Sequence, residues 1–236
     1  MSFDDPAVVQ QQYVSEDNLR ARQALWAEVE GENAPVALWR VLSALQPRKV
    51  LEVGGGQGEL AERIQTELGA TVTFIDQSAR MVDIARARGI ADARIGDVQT
   101  LPFPDASFDT AVAAWMLYHV ADLDRGLAEL ARVLEPGGKL VAVTNSMRHL
   151  EEFRSLVGLR TSVLDGLFNA ENGESSLRRH FASVERLDTE LVAVVRDRAT
   201  LVGYQCSLPY PSDPVPEDVP LPFRVSGRST IFVATR

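Results

Sequence analysis

The chain has 236 residues, 45% of them hydrophobic, which suits one packed α/β domain with decoration and is too little for two full ones. A formal charge of −9, from 33 acids against 24 bases with no basic run, argues against a nucleic-acid partner, because phosphate backbones are bound by releasing counterions onto cationic surfaces. One cysteine, Cys206, excludes an intrachain disulfide and a cysteine zinc site; the acidic, polar residues 1–12 and the absence of a membrane-length apolar run predict a cytoplasmic protein with no membrane partner.

Residues 15–30 and 33–45 read as two helices, the second with Leu38, Val41, Leu42 and Leu45 on one face and Pro35 in its first turn. A short apolar strand, 49–53, then runs into Gly54-Gly55-Gly56-Gln57-Gly58, followed by a helix with Leu60, Ile64 and Leu68 spaced four apart and stopped by Gly69. The pattern repeats: strand 71–75 ending at Asp76, helix 78–88, strand 93–95 ending at Asp97, strand 108–115, helix 122–134, strand 139–144. Strands alternating with helices predict a parallel sheet covered on both faces, a Rossmann-like three-layer α/β sandwich. Beyond Asn145 the rhythm loosens, with helices predicted over 150–159 and 161–168, a strand over 184–195, a helix over 197–207 and a last strand over 229–235. Six prolines within 207–222 make that stretch a surface loop.

The glycine cluster is the densest chemical signal. It stands where an open parallel sheet binds ligands, beyond the carboxyl end of a strand, and glycines let the main chain approach a ligand closely. Gly56-Gln57-Gly58-Glu59-Leu60-Ala61 also satisfies the permissive fingerprint of nicotinamide- and flavin-dependent oxidoreductases, so glycine spacing does not choose the ligand. Charge does: a pyrophosphate prefers bare amides, whereas Glu52 at the strand tip suits a ligand carrying an ammonium and a sulfonium. Asp76 stands where a carboxylate accepts from two ribose hydroxyls, and Asp97 where one accepts from an adenine amine, with Val98 and Met81 as apolar walls.

With these residues assembled, the chain resembles the class I S-adenosylmethionine-dependent methyltransferases, in particular the small-molecule, quinone-biosynthesis-like branch (methyltransferase type 11), from about Arg48 to Thr144. The resemblance implies a seven-stranded, mostly parallel sheet whose last strand is antiparallel. It assigns the methionine portion of the donor to Glu52, Gly54, Gly56 and Gly58, the ribose to Asp76 with Gln77 beside it, and the adenine to Asp97. Leu101-Pro102-Phe103, Phe108–Val112 and Leu134–Leu140 match further family segments, and Ala114 and Trp115 fall where the family lines the donor. The co-substrate expected is S-adenosyl-L-methionine, with methyl transfer to an O, N or C atom of a small-molecule acceptor, in quinone or secondary-metabolite biosynthesis. Residues 1–47 would form a helical lid, with Tyr13 contacting the donor, 48–144 the donor-binding core and 145–236 the acceptor side. Of three histidines, His119 and His149 follow strands on the ligand side and are the candidate bases; His180 is expected to be a surface residue, and no metal-ligand spacing links the three. The alternative is an NAD(P)- or flavin-dependent oxidoreductase, supported by the Gly56–Ala61 fingerprint and opposed by the absence of a Tyr-x-x-x-Lys pair, Lys49 and Lys139 being the only lysines. A non-catalytic donor-binding partner protein stays open, as does a homodimer.

Overall fold

The computed structural model describes residues 16–159, 166–208 and 211–236. The amino-terminal part gives helix α1 (Glu16–Ala24), strand β1 (Val29–Gly31), helix α2 (Ala34–Leu45), strand β2 (Lys49–Val53) and helix α3 (Glu59–Leu68). There follow β3 (Thr71–Asp76), α4 (Ala79–Ala87), β4 (Asp92–Ile95), β5 (Phe108–Ala114), α5 (Leu123–Val133) and β6 (Leu134–Asn145). The carboxyl-terminal part gives α6 (Glu151–Leu156), α7 (Gly173–Leu177), β7 (Ser183–Val195), α8 (Arg198–Cys206) and β8 (Phe223–Thr235).

One eight-stranded sheet runs in the order β1-β7-β8-β6-β5-β2-β3-β4. The pairs β2–β3, β3–β4, β2–β5 and β5–β6 are parallel, and β8 lies antiparallel between β6 and β7. Strand alternation builds both faces at once. Val50, Val141 and Val143 pack under α2, α3 and α4, while Leu51, Leu140 and Ala142 pack against Leu127, Leu130 and Val133 of α5. Burial on both faces is why these strands read as continuous apolar runs. At the opposite end from the glycines, the Asp109 carboxylate accepts from the Arg48 and Lys49 backbone N–H groups at 3.0 Å each, tying the entry of β2 to β5. A third hydrophobic cluster stands apart: Leu25, Phe153, Leu201, Val215 and Val225 bring α1, α6, α8 and the proline-rich stretch together over the ends of β7 and β8.

The α/β sandwich and its antiparallel last strand are as expected, but the sheet has eight strands rather than seven. The predicted helix over 15–30 stops at Ala24, and Val29–Gly31 pairs antiparallel with β7 as an edge strand. Gly31 holds φ +105 with its α-carbon against the Glu190 carbonyl, where a Cβ would sit 2.7 Å away. Ion pairs of Glu28 with Arg196 and Glu30 with Arg224 flank it. Strand β6 begins at Leu134 rather than 139 because Glu135 to Gly138 continue as an irregular edge, with a register shift against β5. Helix α6 is shorter than predicted and α7 lies where none was read; residues 160–165 of the predicted 161–168 helix, and Tyr13, are outside the described residues. Among the described residues no helix is long and apolar enough to cross a membrane.

Candidate functional site

The three strand-tip acids step outward together. Glu52 pairs in register with Phe74, and Asp76 lies two residues beyond it; Asp76 pairs with Ile95, and Asp97 lies two residues beyond that. Glu52 is 1% exposed, and its carboxyl accepts the Ala61 N–H, one of the donors left over in the first turn of α3. Gly58 occupies the cap of that helix and brings no side chain of its own, so the strand supplies the acceptor. Oε2 of Glu52 has no hydrogen-bond partner among the described residues. Burial, with the nearby Asp76 charge, pushes the Glu52 carboxyl up to about 8. Asp76 is half-buried and accepts from the Ser78 N–H at 2.8 Å and from the Gly56 N–H, and burial raises its pKa as well.

The glycines divide by what surrounds them. A Cβ at Gly54 would meet Met116 at 2.8 Å, at Gly55 the Glu52 carboxyl carbon at 2.5 Å and the Phe74 ring at 2.7 Å, and at Gly58 the Ala85 methyl at 3.0 Å. These three serve the protein's own packing. Gly56, at φ +58, has nothing within 4 Å of that position, so its main chain alone borders open space. Sequence reasoning treated the cluster as one ligand cradle, because spacing does not reveal which α-carbons face protein.

Asp97 caps the 3-10 turn Val98–Thr100 through the Gln99 N–H at 2.8 Å, and the Gln99 amide NH2 reaches both carboxylate oxygens, at 3.0 and 2.9 Å. The Gln99 carbonyl oxygen in turn accepts from the Asp122 N–H. Gln99 was not foreseen; its signal is its place two residues after the acid. Val98 is buried in the α5-side core, Met81 is buried and Gln77 is exposed. Ala114 and Trp115 end β5 half-buried, and Trp115 holds a left-handed φ of +54, a strained conformation for an aromatic residue. Two hydrogen bonds hold it there, Trp115 N–H to the Val143 carbonyl at 2.8 Å and Nε1–H to Asn145 Oδ1 at 3.1 Å.

Asn145 opens a second space, a cavity of about 300 Å³ beside the tips of β5 and β6. Its apolar walls are shared between the rings of Trp26, Tyr118, Phe153, Phe168 and Tyr204 and aliphatic side chains such as Leu150 and Leu167, with Arg22, His149 and Arg154 among the polar groups. Gly227 of β8 lets the Trp26 indole approach the strand closely, since a Cβ there would sit 2.8 Å from it. The Trp26 ring lies 5.7 Å from that of His149. His149 Nδ1 is 3.1 Å from both the N–H and the carbonyl of Arg228, and burial, reinforced by the charges of Arg154 and Arg228, pushes the imidazole down to about 4. Nδ1 thus accepts the Arg228 N–H or donates to the Arg228 carbonyl, according to which ring nitrogen holds the proton. His119 is half-buried with its ring edge-on to Tyr118 at 4.5 Å, and only Tyr118 of the two lines the cavity. His180, expected at the surface, follows α7 with its ring only 16% exposed and Nε2 at 2.8 Å from the Asp124 carboxylate. Arg154, Tyr118, Phe153 and Phe168 escaped sequence reasoning because they converge from separate elements without a shared spacing.

Residues 51–142 match a family model described as "Methyltransferase domain". The chain is 30% identical over 173 residues to the ubiquinone/menaquinone biosynthesis C-methyltransferase UbiE of Cupriavidus metallidurans, covering 67% of this chain and 70% of that one. It is 30% identical over 171 residues to methyltransferase GfsG of Streptomyces halstedii, covering 69% and 60%. Among solved structures, a Haemonchus contortus phosphoethanolamine N-methyltransferase 2, in complex with phosphomonomethylethanolamine and S-adenosylhomocysteine, superposes with a TM-score of 0.64 at 18% identity, over 100% of this chain and 60% of that one. The last likeness concerns the fold.

Proposed function

Because this chain belongs to the S-adenosylmethionine-dependent methyltransferases, we propose that the open space at Gly56 receives the donor and the aromatic cavity beside Asn145 receives a small-molecule acceptor, methylated at an O, N or C atom. Two observations carry the reading: Glu52 Oε2 is buried without a hydrogen-bond partner among the described residues, and a Cβ placed on Gly56 would meet nothing within 4 Å. A cationic ammonium would satisfy that oxygen and repay the cost of its burial. The residues present therefore fit the donor: Glu52 and the Gly56 main chain for its methionine part, Asp76 for the ribose, Asp97 shared with Gln99 for the adenine amine, and Ala114 with the strained Trp115 beside them. Gly54 and Gly58 support this turn through packing, and Gln77, Met81 and Val98 flank the adenosyl part.

When bound, the donor supplies an electrophilic methyl group on sulfonium. This chain's own residues then have to orient the acceptor and keep water out, and orientation of that kind is worth roughly 7–11 kcal/mol of a barrier. Asn145 Oδ1 accepts from both Trp115 Nε1–H and Ser229 Oγ–H, which fixes the amide and leaves its NH2 end as the donor offered to a ligand. His149 lines the same cavity. An imidazole pushed down to about 4 is a poor base at neutral pH, so His149 is read as a positioning group rather than the proton acceptor. His119, behind Tyr118, is the remaining candidate for proton removal. The name of the Cupriavidus relative supports quinone biosynthesis as one setting and leaves secondary metabolism as the other.

Calorimetric titration with S-adenosylhomocysteine, NAD and FAD tests the donor assignment. Micromolar or tighter binding of the first alone is expected; binding of a dinucleotide in its place would replace this reading with the oxidoreductase one. Transfer of labelled methyl groups to a panel of small aromatic acceptors separates an enzyme from a donor-binding partner protein.

A further inference from the structure

Arg154 is the polar group in the cavity that the fold leaves least accounted for. It is 7% exposed, on α6, and of its three guanidinium nitrogens Nη2 donates to the Met147 carbonyl while Nε, wholly buried, has no partner. The acids nearest in sequence and space are committed elsewhere: Glu151 to Arg148 at 3.0 Å, Glu152 to the Ser226 N–H and hydroxyl at 2.9 and 2.6 Å, and Glu171 to the Ser146 hydroxyl and Met147 N–H at 2.6 and 2.9 Å. Among the described residues no carboxylate pairs with Arg154, and none lines the cavity. Arg22, steadied by the Ser207 carbonyl at 2.8 Å, adds a second guanidinium to the wall.

The charges of Glu151, Glu152 and Glu171 reach Arg154 without a direct ion pair, burial still disfavours its charged form, and an anionic ligand bonded to the guanidinium would offset that cost. A guanidinium that lines the cavity with N–H groups to spare suits a carboxylate oxygen. The surrounding rings of Trp26, Tyr118 and Phe153 suit a flat apolar body, and a volume of about 300 Å³ limits it to one or two rings. On the reading that this cavity takes the methyl acceptor, we propose that the acceptor is a small aromatic carboxylate and that Arg154 selects it by pairing with the carboxylate.

The test uses the full chain with 2-naphthoate and its neutral isostere 2-naphthamide, titrated calorimetrically in the presence and absence of S-adenosylhomocysteine. Wild type should prefer the acid by about tenfold or more, and Arg154→Gln should bring the two within about twofold, with Arg154→Lys in between. Equal affinity of wild type for acid and amide, no binding of 2-naphthoate, or an undiminished preference in Arg154→Gln each overturns the proposal. If Arg154→Gln does not fold, the wild-type comparison and Arg154→Lys decide. The S-adenosylhomocysteine titration reports separately on the donor assignment: acid preference without nucleoside binding sinks the methyl-transfer reading and keeps the anion site, and the reverse result does the opposite.

Discussion

Replacing Glu52 by Gln separates what this residue does for folding from what it does for the donor. In the unfolded chain its carboxyl titrates near 4.5, and burial raises it to about 8 in the native state. Between those values the native state holds a proton that the unfolded state has lost, so stability falls as pH rises through this window and levels off above pH 8. A shift of this size corresponds to roughly 5 kcal/mol in all, of which about 2 kcal/mol is lost between pH 6.5 and 8. Glutamine has no proton to lose and retains an acceptor for the Ala61 N–H. His149 imposes the opposite slope, but only below about pH 6.5, so the range from 6.5 to 8.5 isolates Glu52. Urea denaturation of both proteins across that range should show Glu52→Gln the more stable, by a margin that widens by about 2 kcal/mol. The same variant should bind S-adenosylhomocysteine more weakly, and wild-type affinity should rise with pH over this range as the carboxyl becomes available in its charged form. A margin that stays flat with pH would refute the reasoning, since it would mean that the native carboxyl is already ionised and satisfied at neutral pH.

Gly56→Ala puts a methyl group into the open space and should lower S-adenosylhomocysteine affinity by about tenfold or more, at a folding cost of only about 1–2 kcal/mol for its left-handed backbone; calorimetry and thermal melting read the two effects separately. Gly55→Ala should reverse the balance, with melting falling sharply because the new methyl collides with Glu52 and Phe74; an unchanged melting temperature counts against the packing described. Asp76→Ala should weaken S-adenosylhomocysteine binding by on the order of 1–3 kcal/mol, and unaltered affinity removes Asp76 from the site. For His149, whose native pKa is depressed from 6.5 to about 4, the stability it contributes is present above pH 6.5 and lost as pH falls toward 4, so His149→Phe should flatten the acid limb of urea denaturation between pH 6.5 and 4.5; an equally steep limb contradicts a buried neutral imidazole.

The stepped row of acids was legible because its residues follow one another along the chain in the order in which the strand tips present them. Glu52, Asp76 and Asp97 each close an apolar run, and a parallel sheet brings such ends to one edge whatever the details of packing. Reading the glycines was harder, since only surroundings distinguish Gly56 from Gly54, Gly55 and Gly58. Edge strand β1 was hidden for a different reason. Val29-Glu30-Gly31 is exposed throughout and has no alternation to detect, and becomes a strand only because β7 offers it a partner. The first half of β8 was missed because Arg224, Ser226, Gly227 and Arg228 are poor strand formers, and here the ladder with β7 overrides propensity. The acceptor half was least legible of all: Trp26, Tyr118, Asn145, Arg154 and Phe168 lie far apart in sequence, and no period relates them.

The third hydrophobic cluster, set over the ends of β7 and β8, shares none of its buried residues with the two that sandwich the central strands. Leu25, Phe153, Leu201 and Val225 carry the walls of the aromatic cavity, while Ile64, Phe74 and Val82 carry the turn around Gly56. The two packing units meet at the cavity, where Phe168 of the α5-side core and Phe153 of the third cluster share the wall. On the proposed reading, changes among Leu25, Leu201 and Val225 would re-shape the acceptor space while the packing around Gly56, set by Ile64, Phe74 and Val82, is left in place.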